Sequence, residues 1–180
     1  MKTLLLASLC VAALALTACD KKPNEAPTSS AATSASPAST QPATAVLSTN
    51  NIKDIKNDLI EIQTLSQNRS KEALDLQNKA NQAAQKNDKV ALNTIVAEMK
   101  TYIANFNRDL DALALKSTEL DKVRSKIKES NNLGIELSEE SIAEKPDMKK
   151  IAELRDRATQ LQKELVADMQ ALENKVKTAQ

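Results

Sequence analysis

The sequence has 180 residues, with 25 Lys+Arg against 24 Asp+Glu, a single glycine, one Tyr, one Phe and no histidine. One glycine leaves little material for tight hairpins or phosphate-binding loops, which argues against β-sandwich and dinucleotide-binding folds. The absence of histidine excludes Ser-His-Asp and Cys-His catalysis and His-ligated zinc. A formal net charge of +1 gives no electrostatic reason to expect nucleic-acid binding.

The amino terminus has the pattern of an export signal. Met1-Lys2 is a short positive segment, and an apolar run follows from Leu4 to Leu16, interrupted only by Ser8. This run is too short to cross the hydrocarbon core of a bilayer, which needs ~20 residues. It therefore indicates the apolar region of a cleaved signal peptide, residues 1–18, and not a permanent transmembrane helix.

The apolar run ends in Leu16-Thr17-Ala18-Cys19. This segment resembles the lipobox of bacterial lipoproteins, in which small residues precede a cysteine that becomes the first residue of the mature chain. The resemblance implies cleavage after Ala18, fatty acyl chains such as palmitate on Cys19, and a membrane-anchored protein of the bacterial cell envelope with its domain in the periplasm. An ordinary secretory signal with a chance cysteine is the alternative.

Cysteine usage is consistent with this interpretation. Cys10 lies within the predicted signal peptide, and Cys19 would carry the lipid, so the mature chain would have no free thiol and no disulfide. Asp20 follows the predicted lipid site and resembles the signal that retains lipoproteins in the inner membrane of enteric bacteria. This slightly favours the inner membrane and leaves the outer membrane possible.

Residues 19–47 are predicted to form a disordered tether behind the lipidated cysteine. From Pro23 to Ala45 the segment consists almost entirely of Ala, Ser, Thr and Pro, with no apolar residue larger than alanine. Such a segment cannot bury enough surface to offset its ordering entropy. It favours a spacer of roughly 25–70 Å. The composition also resembles segments that bacterial O-glycosylation systems modify, which is compatible with a spacer.

From residue 48 to residue 180 the apolar residues recur at helical spacing. The first stripe alternates steps of three and four without a slip: Ile52, Ile55, Leu59, Ile62, Ser66, Arg69, Ala73, Leu76, Ala80 and Ala83. The second stripe runs from Leu92 to Ile127. A continuous helix would place the two stripes on opposite faces, so we expect a break near residues 85–89. A single long helix that changes face is the alternative.

A second break is predicted at the only glycine. Gly134 follows Asn131-Asn132-Leu133, and glycine is favoured just beyond a helix end. The third stripe begins at Ile151 and ends at Val176. We therefore predict three helices, at about 49–86, 89–131 and 139–178, and an all-α fold: an elongated antiparallel three-helix bundle or coiled coil.

Polar residues within the stripes offer little chemistry. Arg69, Arg124, Ser66 and Ser117 occupy seam positions, where polar side chains usually fix register or extend to solvent. Adjacent acids have no calcium-loop spacing around them. We therefore expect no catalytic residue, no metal, no cofactor and no small-molecule substrate.

Among the apolar residues outside the predicted seams, three are candidates for binding a partner. Ile60 and Leu74 lie on the outer side of the first predicted helix, and Leu115 lies behind the second. Exposed apolar side chains on one helix face can bind a partner helix or a second copy of the chain. They are the candidate partner-binding residues.

Two functions remain open on the sequence. The favoured one is a membrane-anchored, non-catalytic helical module that binds an envelope protein or associates with itself. The alternative is a periplasmic chaperone-like or stress-related lipoprotein that binds clients along an open apolar face. Covalent attachment to the cell wall is not expected, because the chain lacks the terminal lysine of the small murein lipoproteins and ends in Thr178-Ala179-Gln180.

Overall fold

Four helices make up most of residues 46–179, the part of the chain that the computed structural model describes. They are α1 (Ile52–Gln85), α2 (Lys89–Ala112), α3 (Thr118–Ile142) and α4 (Met148–Thr178). Within these residues the only β-type pairing is one parallel bridge between Ser48 and Ser117. The fold class is all-α, with four helices where the sequence predicts three.

Each helix begins after a polar side chain that accepts hydrogen bonds from amide groups of its first turn. Asn51 Oδ1, for example, accepts from the amide of Lys53 at 3.1 Å. Such caps satisfy amide groups that have no partner within the helix. The four capping residues are Asn51, Asp88, Ser117 and Asp147.

The helices follow one another in alternating directions and pack side by side in chain order. An ion pair joins each consecutive pair: Lys79–Glu98 between α1 and α2 (2.8 Å), Lys128–Asp111 between α2 and α3 (2.7 Å), and Lys126–Asp168 between α3 and α4 (2.8 Å). α4 also contacts the first half of α1, where Gln63 donates to Glu173 at 3.2 Å.

The apolar core consists of two clusters that share α1. The first half of α1, with Ile55, Leu59 and Ile62, packs with α3 and α4. The second half, from Ala73 to Ala83, packs mainly on α2. Small alanines let α2 approach α1 closely, whereas the larger residues of the first half fill the space among three helices. α1 therefore joins the two parts of the bundle.

The chain reverses between α1 and α2 without a glycine. Asn87 adopts a left-handed backbone conformation (φ 51°), and the amide of Asp88 donates to the carbonyl of Ala83 at 3.0 Å. Asparagine tolerates this conformation better than most residues and here takes the place that glycine usually has after a helix. Asp88 then caps α2. The reversal at 86–88 lies within the break that the two stripes predict.

The predicted second helix, 89–131, is wrong because it contains a break at 113–117. Leu115 is buried in the first core cluster, and Ser117 caps α3. The apolar stripe continues in step across the break, so periodicity alone does not reveal it. The signal in the sequence is local: Ser117 is followed by Glu119 and Asp121, the pattern of a helix start.

The predicted break at Gly134 is also wrong. Gly134 lies inside α3 without a positive φ, and its carbonyl accepts a hydrogen bond from Ser138 Oγ at 2.7 Å. Glycine in a helix interior costs ~1 kcal/mol relative to alanine, and burial of the adjacent Leu133 offsets a cost of this size. α3 instead ends at Ile142, and Pro146 lies in the connection to α4. Residues 139–142, predicted to begin the last helix, belong to α3.

Candidate functional site: the tether junction and the outer face of α1

The residues just before α1 fasten the chain to one end of the bundle. Ser48 pairs with the α2–α3 connection: its amide donates to the carbonyl of Lys116 at 2.7 Å, and its carbonyl accepts from the amide of Thr118 at 2.9 Å. The Ser48 hydroxyl donates to Asp54 at 2.7 Å. We call residues 48–50 with these partners the clasp.

Asn50 extends the clasp to α3 and α4. Its amide donates to Glu119 Oε1 at 2.8 Å, and its side-chain oxygen accepts from Lys175 Nζ. Its left-handed conformation (φ 61°) turns the chain into the start of α1. Burial alone would raise the pKa of Glu119, but hydrogen bonds, the first of them from the Asn50 amide, hold it below its ordinary value.

A buried carboxylate lies under the clasp. Asp58 on α1 is 1% exposed, and Oδ2 accepts from the Ser117 amide at 2.7 Å and from the Ser117 hydroxyl at 2.6 Å. The amide of Lys116 donates to the same carboxylate at 3.0 Å. Asp58 is not among the candidate residues that the sequence predicts. The only indication of its burial in the sequence is its place next to Leu59, on the inner side of the first stripe.

The clasp defines the end of the bundle from which the predicted tether departs. It brings together the start of α1, the start of α3 and the end of α4. Residues 1–45, which precede it, lie outside the described residues, and so do the predicted lipid site Cys19 and sorting residue Asp20. The far end of the bundle consists of the connections 86–88 and 143–147.

The outer face of α1 carries two exposed apolar side chains. Ile60 is 52% exposed and Leu74 is 53% exposed. Fourteen residues separate them, about 21 Å along the helix axis at ~1.5 Å per residue. The exposed side chains between them are polar, and include Gln67 and Lys71.

Leu115 is not on this surface. It is 7% exposed and packs in the first core cluster, so its predicted position behind the second helix is wrong. The α2–α3 connection, held by Asp58, turns this side chain inward.

The polar residues of the seams make structural contacts. Arg69 pairs with Asp109 and Glu72, and the hydrogen bond to Asp109 raises its pKa. Arg124 donates to the carbonyls of Leu110 (3.3 Å) and Leu113 (3.2 Å) at the end of α2, where the helix no longer supplies amide groups from a following turn. These arginines join helices or complete helix ends.

The described surface has grooves with mixed polar linings. One of them, about 840 Å³, is an open groove between α1 and α2 that is lined by residues including Lys71, Glu72, Asp75 and Tyr102. Burial raises the pKa of Tyr102. Among residues 46–179 no group of three or more acidic or cysteine side chains is placed to hold a metal ion. No helix in this part of the chain is both long and apolar enough to cross a membrane.

Comparison with known proteins identifies a family. No curated protein and no solved structure matches the chain. The family described as "Uncharacterised lipoprotein PM1805" matches residues 56–177, from the second turn of α1 to the last turn of α4 and more than half of the chain. The protein therefore belongs to this lipoprotein family.

Proposed function

We propose that the protein is a lipid-anchored module of the bacterial cell envelope that binds protein through its helical bundle and catalyses no reaction. The lipid would be attached at Cys19, with the bundle in the periplasm. Asp20 favours retention in the inner membrane. Membership of a lipoprotein family supports the anchor, and the lipobox gives its position.

The main support for this proposal is the position of the clasp at one end of the bundle. It holds the end of the predicted tether at one end of the bundle through hydrogen bonds to α3 and α4. The outer face of α1 lies along the side of the bundle and exposes Ile60 and Leu74. A tether fixed at one end leaves this face accessible while the lipid keeps the protein at the membrane.

The chemistry of the described residues favours binding over catalysis. Asp58, the most buried acid, is occupied by three donors from the α2–α3 connection. The groove between α1 and α2 is open, and charged side chains of both signs line it beside Leu76 and Tyr102, unlike the enclosed apolar pockets that usually bind small molecules.

Removal of the lipid site tests the anchor. Cys19→Ala is expected to abolish both the incorporation of labelled palmitate and the cleavage after Ala18, because both depend on this cysteine. The described bundle contains no cysteine, so its circular dichroism spectrum should be unchanged. Cys10→Ala is the matched control and should incorporate the label as wild type does. Incorporation of label into Cys19→Ala would contradict anchoring through this residue.

Capture of a partner tests the binding role. A photo-crosslinking residue at position 60 or 74 of the lipidated protein is expected to give a discrete adduct in cells. The same residue at Glu153, an exposed position of α4, is the control. Absence of adducts at both α1 positions would contradict a binding role for this face.

The client-binding alternative makes a different prediction. It requires an open apolar face that binds a hydrophobic dye in the native state. Because the seam residues of α1 and α4 are buried, we expect the native protein to leave such a dye unbound. Strong dye binding together with suppressed aggregation of a model client would favour the chaperone-like function.

A further inference from the structure

The two exposed apolar residues of α1 are placed symmetrically about a polar one. Ile60 and Leu74 each lie seven residues from Gln67, and all three side chains are exposed. Seven residues are close to two helical turns, so the three side chains line one face at intervals of ~10.5 Å. Reversing the direction of the helix exchanges Ile60 with Leu74 and leaves Gln67 in place.

This face continues as a second heptad seam on the opposite side of α1 from the buried one. Its residues follow steps of four and three, and all are exposed: Ile60, Thr64, Gln67, Lys71, Leu74 and Asn78. The buried seam, which includes Ile62 and Ala73, is already filled by the other helices. A seam of this spacing is the surface that another helix packs against in a coiled coil.

We infer that the occupant of this face is a second copy of the chain, packed antiparallel through α1 about a two-fold axis at Gln67. This inference rests on the proposed function and names its partner. Ile60 of each copy packs on Leu74 of the other, and the two Gln67 amides meet at the axis. A two-fold contact must be self-complementary, and the equal spacing about Gln67 satisfies that requirement.

One charge in the seam and one beside it favour the antiparallel direction. Lys71 and Glu61 are both exposed, and neither has an ion-pair partner within 4.0 Å among the described residues. In the antiparallel pair, Lys71 of one copy lies opposite position 63 of the other. Glu61 of that other copy is only ~3 Å farther along the helix axis. Symmetry gives two such pairs. A parallel pair would instead bring Lys71 against Lys71, which is unfavourable.

The size of the contact makes it dependent on the membrane. One helix packed on one helix buries less than the ~800 Å² per partner of a standard interface, so the domain alone is expected to be monomeric. Lipid anchors confine copies to one surface and raise their effective concentration. An antiparallel pair lying along the bilayer places its two clasps at opposite ends of α1, ~51 Å long, with both predicted tethers able to reach the same membrane.

Single-cysteine cross-linking of the full lipidated protein in membranes tests the arrangement. Apart from the predicted lipid site, the mature sequence has no cysteine to interfere. With a short bis-maleimide, Gln67→Cys is expected to give a product of twice the monomer mass. Ile60→Cys and Leu74→Cys should each give little product alone. The two variants, expressed together with different tags, should give a mixed dimer. Val166→Cys, an exposed apolar position on α4 (39%), is the control.

The outcomes separate this inference from the proposed function. A self-cross-link at both Ile60→Cys and Gln67→Cys would indicate a parallel pair and overturn the inference. Absence of product at Gln67→Cys would also overturn it, and product only at Val166→Cys would assign self-association to α4. If a photo-crosslinker at position 60 then captured a protein of different mass, the binding role would stand with another partner. If positions 60 and 74 both gave no photo-adduct, the result would contradict the inferred dimer and the proposed binding role together.

Discussion

The hydroxyl and amide of Ser117 both donate to one oxygen of the Asp58 carboxylate, at 2.6 and 2.7 Å, and link residues 59 positions apart. Ser117 caps α3 and pairs with Ser48 through the parallel bridge. One carboxylate therefore stabilises the α2–α3 connection, the start of α3 and the site where the predicted tether joins the bundle.

Replacing Asp58 with alanine is expected to lower the free energy of unfolding by about 3 kcal/mol, because buried donors of Lys116 and Ser117 lose a charged acceptor. Asp58→Asn keeps one acceptor oxygen and should cost less. Urea denaturation followed by circular dichroism measures both. The neighbouring Asn57 is exposed, and Asn57→Ala should remain within ~0.5 kcal/mol of wild type. Equal effects at positions 57 and 58 would contradict the role of the buried carboxylate.

Gly134→Ala is expected to stabilise the protein by ~0.5–1 kcal/mol, because alanine has the higher helix propensity. Apart from its two chain neighbours and the adjacent backbone of α3, a Cβ at this position would meet no atom within 4 Å, and the backbone does not need a positive φ. The reciprocal change Ala167→Gly, at an exposed position inside α4, should destabilise by a similar amount. A destabilised Gly134→Ala variant in thermal unfolding would mean that a neighbouring group requires the space beside α3.

The all-α class follows from the sequence because apolar periodicity reports which face each helix buries. Ile151, Leu161 and Val176 are buried as the third stripe predicts. Periodicity does not report a break between helices when the spacing of the apolar residues continues unchanged across it. The break at 113–117 depends on hydrogen bonds to Asp58, which is distant in sequence. Conversely, the local preference of Gly134 for a helix end is outweighed by tertiary packing.

The candidate site is also predictable only where it depends on residues close in sequence. Exposure of Ile60 and Leu74 follows from the register of α1, whereas burial of Leu115 depends on the direction in which the connection turns. The clasp cannot be predicted from the sequence, because serine and asparagine at positions 48 and 50 are equally suited to cap a helix. Their actual partners, including Glu119, are brought to them only by the folded bundle.

Replacement by alanine should lower the free energy of unfolding much more at Leu115 than at Ile60. Leu115→Ala is expected to destabilise by ~2–4 kcal/mol, because it leaves a cavity in the first core cluster. Ile60→Ala should change the free energy of unfolding by less than ~0.5 kcal/mol in the isolated domain, since the side chain is half exposed. Chemical denaturation of the two variants in parallel gives the comparison. A large loss for Ile60→Ala would place that side chain in a contact within the bundle.

The clasp should weaken in acid through Glu119. Its folded-state pKa lies below the ordinary 4.5, so its contribution to stability is fully present above that value and is lost as the pH falls through the lowered pKa. Hydrogen exchange of the Asn50 amide should therefore gain protection between pH 3 and pH 6, after correction for the intrinsic rate, by a larger factor in wild type than in Glu119→Gln. Glu119→Gln keeps an acceptor oxygen but cannot ionise. The other charged residues of the clasp, Lys175 and Asp54, are the same in both proteins, so the comparison isolates Glu119. If the two proteins showed the same pH dependence at this amide, ionised Glu119 would not be what holds Asn50 in place.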